Sequence, residues 1–358
     1  MDDLERDRAK IAWMRQRLAA TDPRMSGAPA SAGGPERTRR GVQSAPRAET
    51  TVHGYRCTPE TSGEIFMSSA SPRIVVIGST GMLGAPVTQE LVAADFAVTA
   101  LVRDPEATRA SKRLPAGVTL VAGDVSDVKG LAAAFRGHDI VYVSLAVPIT
   151  ASASAWRVES EGMKNIVAAA REAGIKRIAY LSSLLHRYDG FRWWVFDMKR
   201  EALSILKESG IPSTVFFPSN FIESIPYRSR QGSRINLAGS AREKAYWISA
   251  RDYGKQVARA LALPGDASRE YVVQGPEPLT IKEAAEQFAK HYTKEKLAVG
   301  AAPLGIFKVL GLFSPTFNYV WHISDAINNA PEPFQAEATW KELGKPETTV
   351  ATFAASFQ

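Results

Sequence analysis

Three glycines, Gly78, Gly81 and Gly84, follow at once on the apolar run Ile74-Val-Val-Ile77, and Pro86, Val87, Leu91 and Val92 continue at helical spacing. The order is strand, tight turn, helix. Gly78 permits the turn, Gly81 removes a side chain where a pyrophosphate approaches the backbone, and Gly84 lets the helix press against the strand. The backbone of Ser79, Thr80, Met82 and Leu83 completes the cradle, and the positive end of the helix dipole faces the phosphates. A glycine triplet alone is as often a plain turn. Here a second strand, Ala97–Val102, closes a βαβ unit of the length that a dinucleotide site needs.

Two other places carry chemistry. Arg103 and Asp104 end the second strand, where a carboxylate would accept from a ribose 2′-OH and an arginine would pair with a 2′-phosphate. Strand neighbours point to opposite sides, so only one of them faces the ribose. The alternative is a solvated Arg103 and an Asp104 that caps the turn before Pro105. Lys199 is the second place. At about 100° per residue from Val195 it falls at about 40°, within the arc of Met198, Ala202, Leu203, Ile205 and Leu206. A charge on a buried helix face wants a partner or a ligand, unless it snorkels to the rim.

The elements that must position these groups alternate without pause. Strands are expected at 118–121, 140–143, 177–181 and 214–217, with helices at 129–135, 159–173 and 194–209; Gly174 and Gly210 stop the last two. This rhythm predicts an α/β fold, a doubly wound parallel sheet of Rossmann type, with ligands outside the carboxyl ends of its strands. Leu145, Ala146 and Pro148 would then run beside the nicotinamide ribose. Past Phe217 the rhythm weakens to a strand at 245–248, a helix at 252–263, a strand at 271–274 and a helix at 281–291. We divide the chain into a disordered extension at 1–66, a Rossmann core at 67–225 and a small C-terminal lobe at 226–358 that completes the sheet and covers the substrate.

The extension is read from composition, since 25–64 is dominated by Gly, Ala, Pro, Ser, Thr and Arg and cannot bury enough surface to offset ordering entropy. Translation starting at Met67 is the corresponding expectation, and the intact mass of the native protein checks it. The whole chain of 358 residues is 45% hydrophobic with a net charge of +7, an ordinary globular balance. Its cations are scattered and lack interleaved aromatics, so nucleic acid is not an expected partner. No apolar run of spanning length occurs; 301–320 is cut by Pro303, Lys308 and Pro315 and reads as a half-buried helix and loop. A membrane is not expected as a partner either. The single cysteine, Cys57, and the absence of a secretory pattern fit a cytoplasmic monomer or homodimer. No His/Cys/Asp cluster has metal spacing.

The ordered set Gly78-x-x-Gly81-x-x-Gly84, Leu101-Val-Arg103-Asp-Pro105, Gly123-Asp124, Lys199, Phe217-Pro218-x-Asn220-Phe221, Asp252-x-Gly254 and Gly275-Pro276-Glu277-x-Leu279-Thr280 resembles the NmrA-like, atypical short-chain dehydrogenase/reductase proteins. The resemblance runs from about Arg73 onward. It implies NADP(H), held through Arg103, in preference to NAD. It also implies that Asp124 lies beside the adenine, unless Asp124 or Asp127 caps a helix, and that Pro218 and Asn220 belong to the nicotinamide-side loop.

Short-chain dehydrogenases generally pair a Ser at the end of the fifth strand with Tyr-x-x-x-Lys on the next helix. Ser182, Ser183 and Lys199 are in place here, but Val195 occupies the tyrosine position and Tyr188 is off the spacing. Lys199 is therefore expected to touch the ribose or act as acid and base. His186, either a proton donor or structural, lies with Tyr188, Trp193 and Trp194 over the nicotinamide face, types that suit an apolar pocket with one polar group. The resulting expectation is an NADPH-dependent oxidoreductase acting on a small carbonyl or conjugated substrate. The alternatives are a non-catalytic NADP-sensing regulator and a scaffold that keeps the fold for shape.

Overall fold

The computed structural model describes residues 71–187 and 192–357. The proposed extension at 1–66 and Tyr188 lie outside the described residues. The main sheet is formed by β1 (Arg73–Ile77), β2 (Ala97–Val102), β3 (Thr119–Ala122), β4 (Ile140–Val143), β5 (Arg177–Leu181) and β6 (Ser213–Pro218), with a seventh strand added from later in the chain. Its helices are α1 (Gly84–Ala93), α2 (Pro105–Ala110), α3 (Val128–Phe135), α4 (Ser160–Ala173) and α5 (Trp194–Glu208). Gly174, in the left-handed region at φ 73°, ends α4 as its residue type demands.

The C-terminal part contributes β7 (Arg230–Gln231), β8 (Arg234–Ala238), β9 (Ala245–Tyr246), β10 (Arg269–Val273), β11 (Pro278–Leu279) and β12 (Ala298–Ala302). Between and after them come α6 (Ala250–Ala262), α7 (Ile281–His291), α8 (Leu304–Leu310), α9 (Pro315–Asn329), α10 (Glu337–Leu343) and α11 (Val350–Ser356).

The sheet order is β10-β6-β5-β4-β1-β2-β3, parallel throughout. The direction of winding reverses between β1 and β4, which opens a crevice at their carboxyl ends. Continuous apolar strands follow from burial on both faces. Val75 and Ile77 pack with α3, α4 and α5, while Ile74 and Val76 pack with α1 and α6.

Two expectations change in detail. The strand expected at 245–248 stops at Tyr246, where it pairs with β11, and Ile248 instead bridges to Phe221 beyond β6. The strand expected at 271–274 is the seventh parallel strand, so the main sheet reaches beyond the six strands whose rhythm is regular. The rest of the C-terminal part has its own core, in which Ile235, Leu237, Trp247 and Phe288 meet Val350 and Ala354. The stretch 301–320, expected as one helix and a loop, is a pair of helices, α8 and α9.

Candidate functional site

The glycine turn is built for an anion. Gly78 sits at φ +83°, and a Cβ on either Gly78 or Gly84 would overlap backbone, that of Ser144 in the first case and of Gly78 in the second. Gly81 is exposed, and a Cβ there would meet only the Gly78 carbonyl, at 3.3 Å. Two of the three glycines therefore hold β1, β4 and α1 together, while the third keeps the open side of the turn bare. Helix α1 has no side-chain N-cap and no acidic residue in its first turn. Its dipole end is left to whatever enters the crevice. Ser79 is fully buried, and its hydroxyl has no partner. Thr80 lines the crevice; Met82 and Leu83 are half-buried, and Leu83 packs under the turn.

From this turn a groove of about 1240 Å³ extends past Arg103, Asp104 and Arg113 on one side and Gly123, Asp124, Leu145, Ala146 and Pro148 on the other. At the end of β2 the backbone that follows engages one of the two candidates. Asp104 is the N-cap of α2, accepting from the Ala107 N–H at 2.9 Å, so its carboxylate is committed to the turn before Pro105. Arg103 has no ion pair among the described residues and lines the groove. Arg113, which sequence reasoning missed, joins it by reaching across to the Thr80 carbonyl at 3.5 Å. Asp124 accepts from the backbone and hydroxyl of Ser126 at 2.9 and 2.7 Å, and these bonds, with help from the Arg103 charge, hold its carboxyl below the usual range. The cap of α3 is Asp127, which leaves Asp124 on the groove wall.

The residues present therefore fit a dinucleotide. The turn supplies space that Cβ atoms would fill, the helix end is uncapped, and two arginines, Arg103 and Arg113, line the groove.

Beyond Leu145 the groove ends at Val158, which also packs against the cluster of Val147, Trp193, Phe196 and Met198. Beside it is the partner that Lys199 wants. Lys199 Nζ lies 2.5 Å from Glu159 Oε2, and the Tyr180 hydroxyl donates to the same oxygen at 3.0 Å. The Glu159 side chain is 1% exposed and that of Lys199 14%. Burial, reinforced by the Glu159 charge, pushes the Tyr180 hydroxyl well above its ordinary range. Lys199 is therefore held against Glu159 next to the Val158 end of the groove and is not a solvated lysine.

Ser182 and Ser183 divide. The buried Ser182 hydroxyl lies 3.4 Å from His186 Nδ1, whereas the Ser183 oxygen accepts from the Leu185 N–H in a local turn. Burial, then the neighbouring Lys199 and Arg200 charges, push His186 down to about 3. The ring is therefore neutral at pH 7 and carries a single N–H. Pro218 ends β6 with its carbonyl taken by the Leu184 N–H, and the Asn220 carbonyl accepts from the Ile248 N–H. Both shape the loop through their backbones.

The side facing Trp193 is closed by α9. His322 stacks on Trp193 with an interplanar angle of 4°, and Tyr319 meets the same ring edge-on at 4.9 Å between centroids. Burial raises the Tyr319 hydroxyl, and Glu159 adds to the rise. Glu332, just beyond α9, anchors that helix by accepting from Ser219, the Tyr246 N–H and Gln274. Tyr319 and Glu159 gave no signal in the sequence, since the packing of Tyr319 on Trp193 and the pairing of Glu159 with Lys199 exist only in the folded chain.

The His186 shift sets a pH dependence. In the unfolded chain the imidazole takes a proton near pH 6.5, and in the folded chain not until about 3. Between those values the unfolded state binds more protons, so stability falls as pH falls, by up to about 1.4 kcal/mol per pH unit. Glu223, which burial raises to about 7, takes up a proton on folding over the same range and opposes this slope. The His186 contribution is therefore expected as the difference in slope between the parent and His186→Gln in urea unfolding at pH 7, 6 and 5.

The family profile of the NmrA-like family matches residues 70–341. Quinone oxidoreductase 2 of Escherichia coli (strain K12) is 28% identical over 228 residues, covering 62% of this chain and 75% of that protein. Photosystem II assembly factor Ycf39 of Synechocystis sp. is 23% identical over 261 residues, 71% of this chain and 78% of that protein. Among solved structures, the Escherichia coli NADPH-dependent quinone oxidoreductase in complex with NADPH superposes with a TM-score of 0.61 at 23% identity, over 79% of this chain and 98% of that one. That superposition shows the fold.

Proposed function

The chain belongs to the NmrA-like family, and on that premise we propose that it is an NADPH-dependent oxidoreductase whose substrate is a small conjugated carbonyl compound such as a quinone. The observation that carries the cofactor is the end of β2: Asp104 is spent on capping α2 while Arg103 and Arg113 both face the groove. A 2′-phosphate with nearly two negative charges suits that pair, whereas a bare 2′-OH would meet a carboxylate with one oxygen already engaged and two cations it does not need. The kinship with quinone oxidoreductase 2 supports the substrate class.

In this reading Gly78 to Gly84 hold the pyrophosphate, Asp124 meets the adenine, and Leu145, Ala146, Pro218 and Asn220 border the nicotinamide. When bound, NADPH supplies a hydride. The chain's own task is to seat the acceptor and stabilise the negative charge that grows on its oxygen. Lys199, held as an ammonium by Glu159, provides a fixed positive charge at that end of the groove. Leu145, Ala151, Trp156 and Val158 line that end of the groove and give the acceptor apolar surface, with the Trp193 cluster packed behind Val158. Ser183 orders the turn that carries His186. Val195, in the place of the family tyrosine, favours one second reading, a protein that binds NADP without turning it over.

Two measurements test this. NADPH at about a hundredfold over its dissociation constant is expected to stabilise the fold by about 2.7 kcal/mol. Arg103→Ala is expected to weaken NADPH by roughly 10- to 100-fold and leave NADH unchanged, with Arg113→Ala acting in the same direction. A melting temperature indifferent to both nucleotides removes both readings. Binding without loss of NADPH absorbance on a panel of quinones, enones and azo compounds leaves the sensor alone.

A further inference from the structure

Trp156 is 49% exposed, although an indole has one of the largest apolar surfaces a chain can bury. A lone exposed aromatic is ordinary. This one lines the groove, on the segment between β4 and α4, and its place there is fixed from both sides.

Side chains alternate where the segment ends. Trp156 and Val158 line the groove, whereas Arg157 pairs with Glu201 at 2.7 Å and Glu159 with Lys199 at 2.5 Å, both partners on α5. The backbone is braced as well: the Ala151, Ala155 and Val158 N–H groups donate to the Pro148, Ser152 and Trp156 carbonyls. One edge of the indole rests over α4. A Cβ on Gly162 would lie 3.7 Å from the ring's Cη2 and 3.5 Å from both Leu145 Cδ1 and Val125 Cγ2, so the three side chains converge there. Leu145 borders the nicotinamide in the reading above, and an acceptor seated beside it has the indole as its neighbour.

The charged residues that line the groove are Arg103, Asp104, Arg113 and Asp124, and all four belong to its nucleotide end. Around Trp156 the lining is Leu145, Pro148, Ala151, Ala155 and Val158. A charged acceptor would be desolvated against that lining with no counter-charge in it, whereas a flat neutral one gains the ring face.

We infer that Trp156 selects the acceptor, favouring a neutral planar molecule of two fused rings over one of a single ring. The inference rests on the oxidoreductase reading of the groove and adds the shape of the substrate to it. Indole is itself two fused rings, so a bicyclic acceptor overlaps it in an offset stack while a single ring leaves part of it bare. The competing occupant is the adenine, because Val125 follows Asp124; the test separates the two.

The test compares the parent with Trp156→Ala and Trp156→Phe, using 1,4-naphthoquinone and 1,4-benzoquinone. Trp156→Ala is expected to lower kcat/KM for the naphthoquinone about tenfold, chiefly through KM, and for the benzoquinone by about threefold at most, with Trp156→Phe between it and the parent. The affinity for NADPH and the melting temperature are expected to stay as they are. Fluorescence gives a readout that needs no turnover. The chain has seven tryptophans, so the Trp156 signal is the difference between the parent and Trp156→Phe, and with oxidised NADP present the naphthoquinone is expected to quench it. A parent that reduces neither quinone while this signal is quenched removes the reaction and leaves the shelf. Quenching that is the same in the parent and in Trp156→Phe overturns the inference, as does an unchanged ratio of the two quinones in Trp156→Ala. A Trp156→Ala protein that loses NADPH as strongly as it loses the naphthoquinone also overturns it and assigns the indole to the cofactor.

Discussion

Gly81→Val is expected to abolish NADPH binding while the fold survives. The side chain would project from the exposed edge of the turn, where its Cβ meets only the Gly78 carbonyl at 3.3 Å, so the surrounding backbone has to give by a few tenths of an ångström and no more. The same atoms would occupy the space through which a pyrophosphate reaches the turn and the uncapped end of α1. Calorimetry with NADPH should show no heat, and the stabilisation of about 2.7 kcal/mol expected for the parent at a hundredfold over its dissociation constant should vanish. Gly84→Ala supplies the contrast. Its Cβ would overlap the Gly78 carbonyl, so α1 must lift from the sheet, and loss of stability should come before any question of binding. A Gly81→Val protein that binds NADPH like the parent would leave the groove without its nucleotide, and the proposed function with it.

The contrast within one motif shows what the sequence could and could not say. The spacing of three glycines was legible, and so were the strands, because parallel strands buried on both faces read as plain apolar runs. The order of the glycines also told which faces a ligand and which packs; that β4 comes close enough for a Cβ on Gly78 to overlap the Ser144 carbonyl was not legible. Two other motifs of the family resemblance turn out to be scaffolding. Gly254 lets α6 approach Glu90 of α1, and a Cβ on Gly275 would overlap the Trp247 carbonyl. Asp252 accepts from the Glu347 and Thr348 N–H groups, which ties the segment after α10 to α6.

At the end of β2 both alternatives were visible in the residue types, and that Asp104 caps α2 became visible only with the helix in place. Arg113 and Tyr319 were beyond reach for a different reason. The chain must first return across Thr80, or add α9 over Trp193, before either side chain has a neighbour worth reading. Lys199 is the intermediate case: helical phase told that it needed a partner, but Glu159 precedes it by 40 positions and meets it only because α4 begins beside the groove and α5 packs against it.

Glu159→Ala is expected to be the most damaging single change at the site, costing about 3 kcal/mol of stability. Removal of one member of a buried ion pair leaves the other without compensation, typically at about 3–5 kcal/mol, and Lys199 retains enough access to solvent for the lower figure to apply. The Tyr180 hydroxyl, fully buried, loses its acceptor in the same step. Replacing both charges, Glu159→Leu with Lys199→Met, should restore much of that loss, because an apolar pair of similar volume avoids the desolvation that the ions suffer. The double variant then separates structure from chemistry. It should fold and bind NADPH, since neither residue is part of the phosphate cradle, yet turn over poorly, since the fixed positive charge facing the acceptor is gone. Urea unfolding of the two single variants and the double one gives the coupling, and NADPH oxidation by a quinone gives the rate. A Glu159→Ala loss below about 1 kcal/mol would deny the buried pair its structural role, and a double variant with parental turnover would take Lys199 out of the reaction.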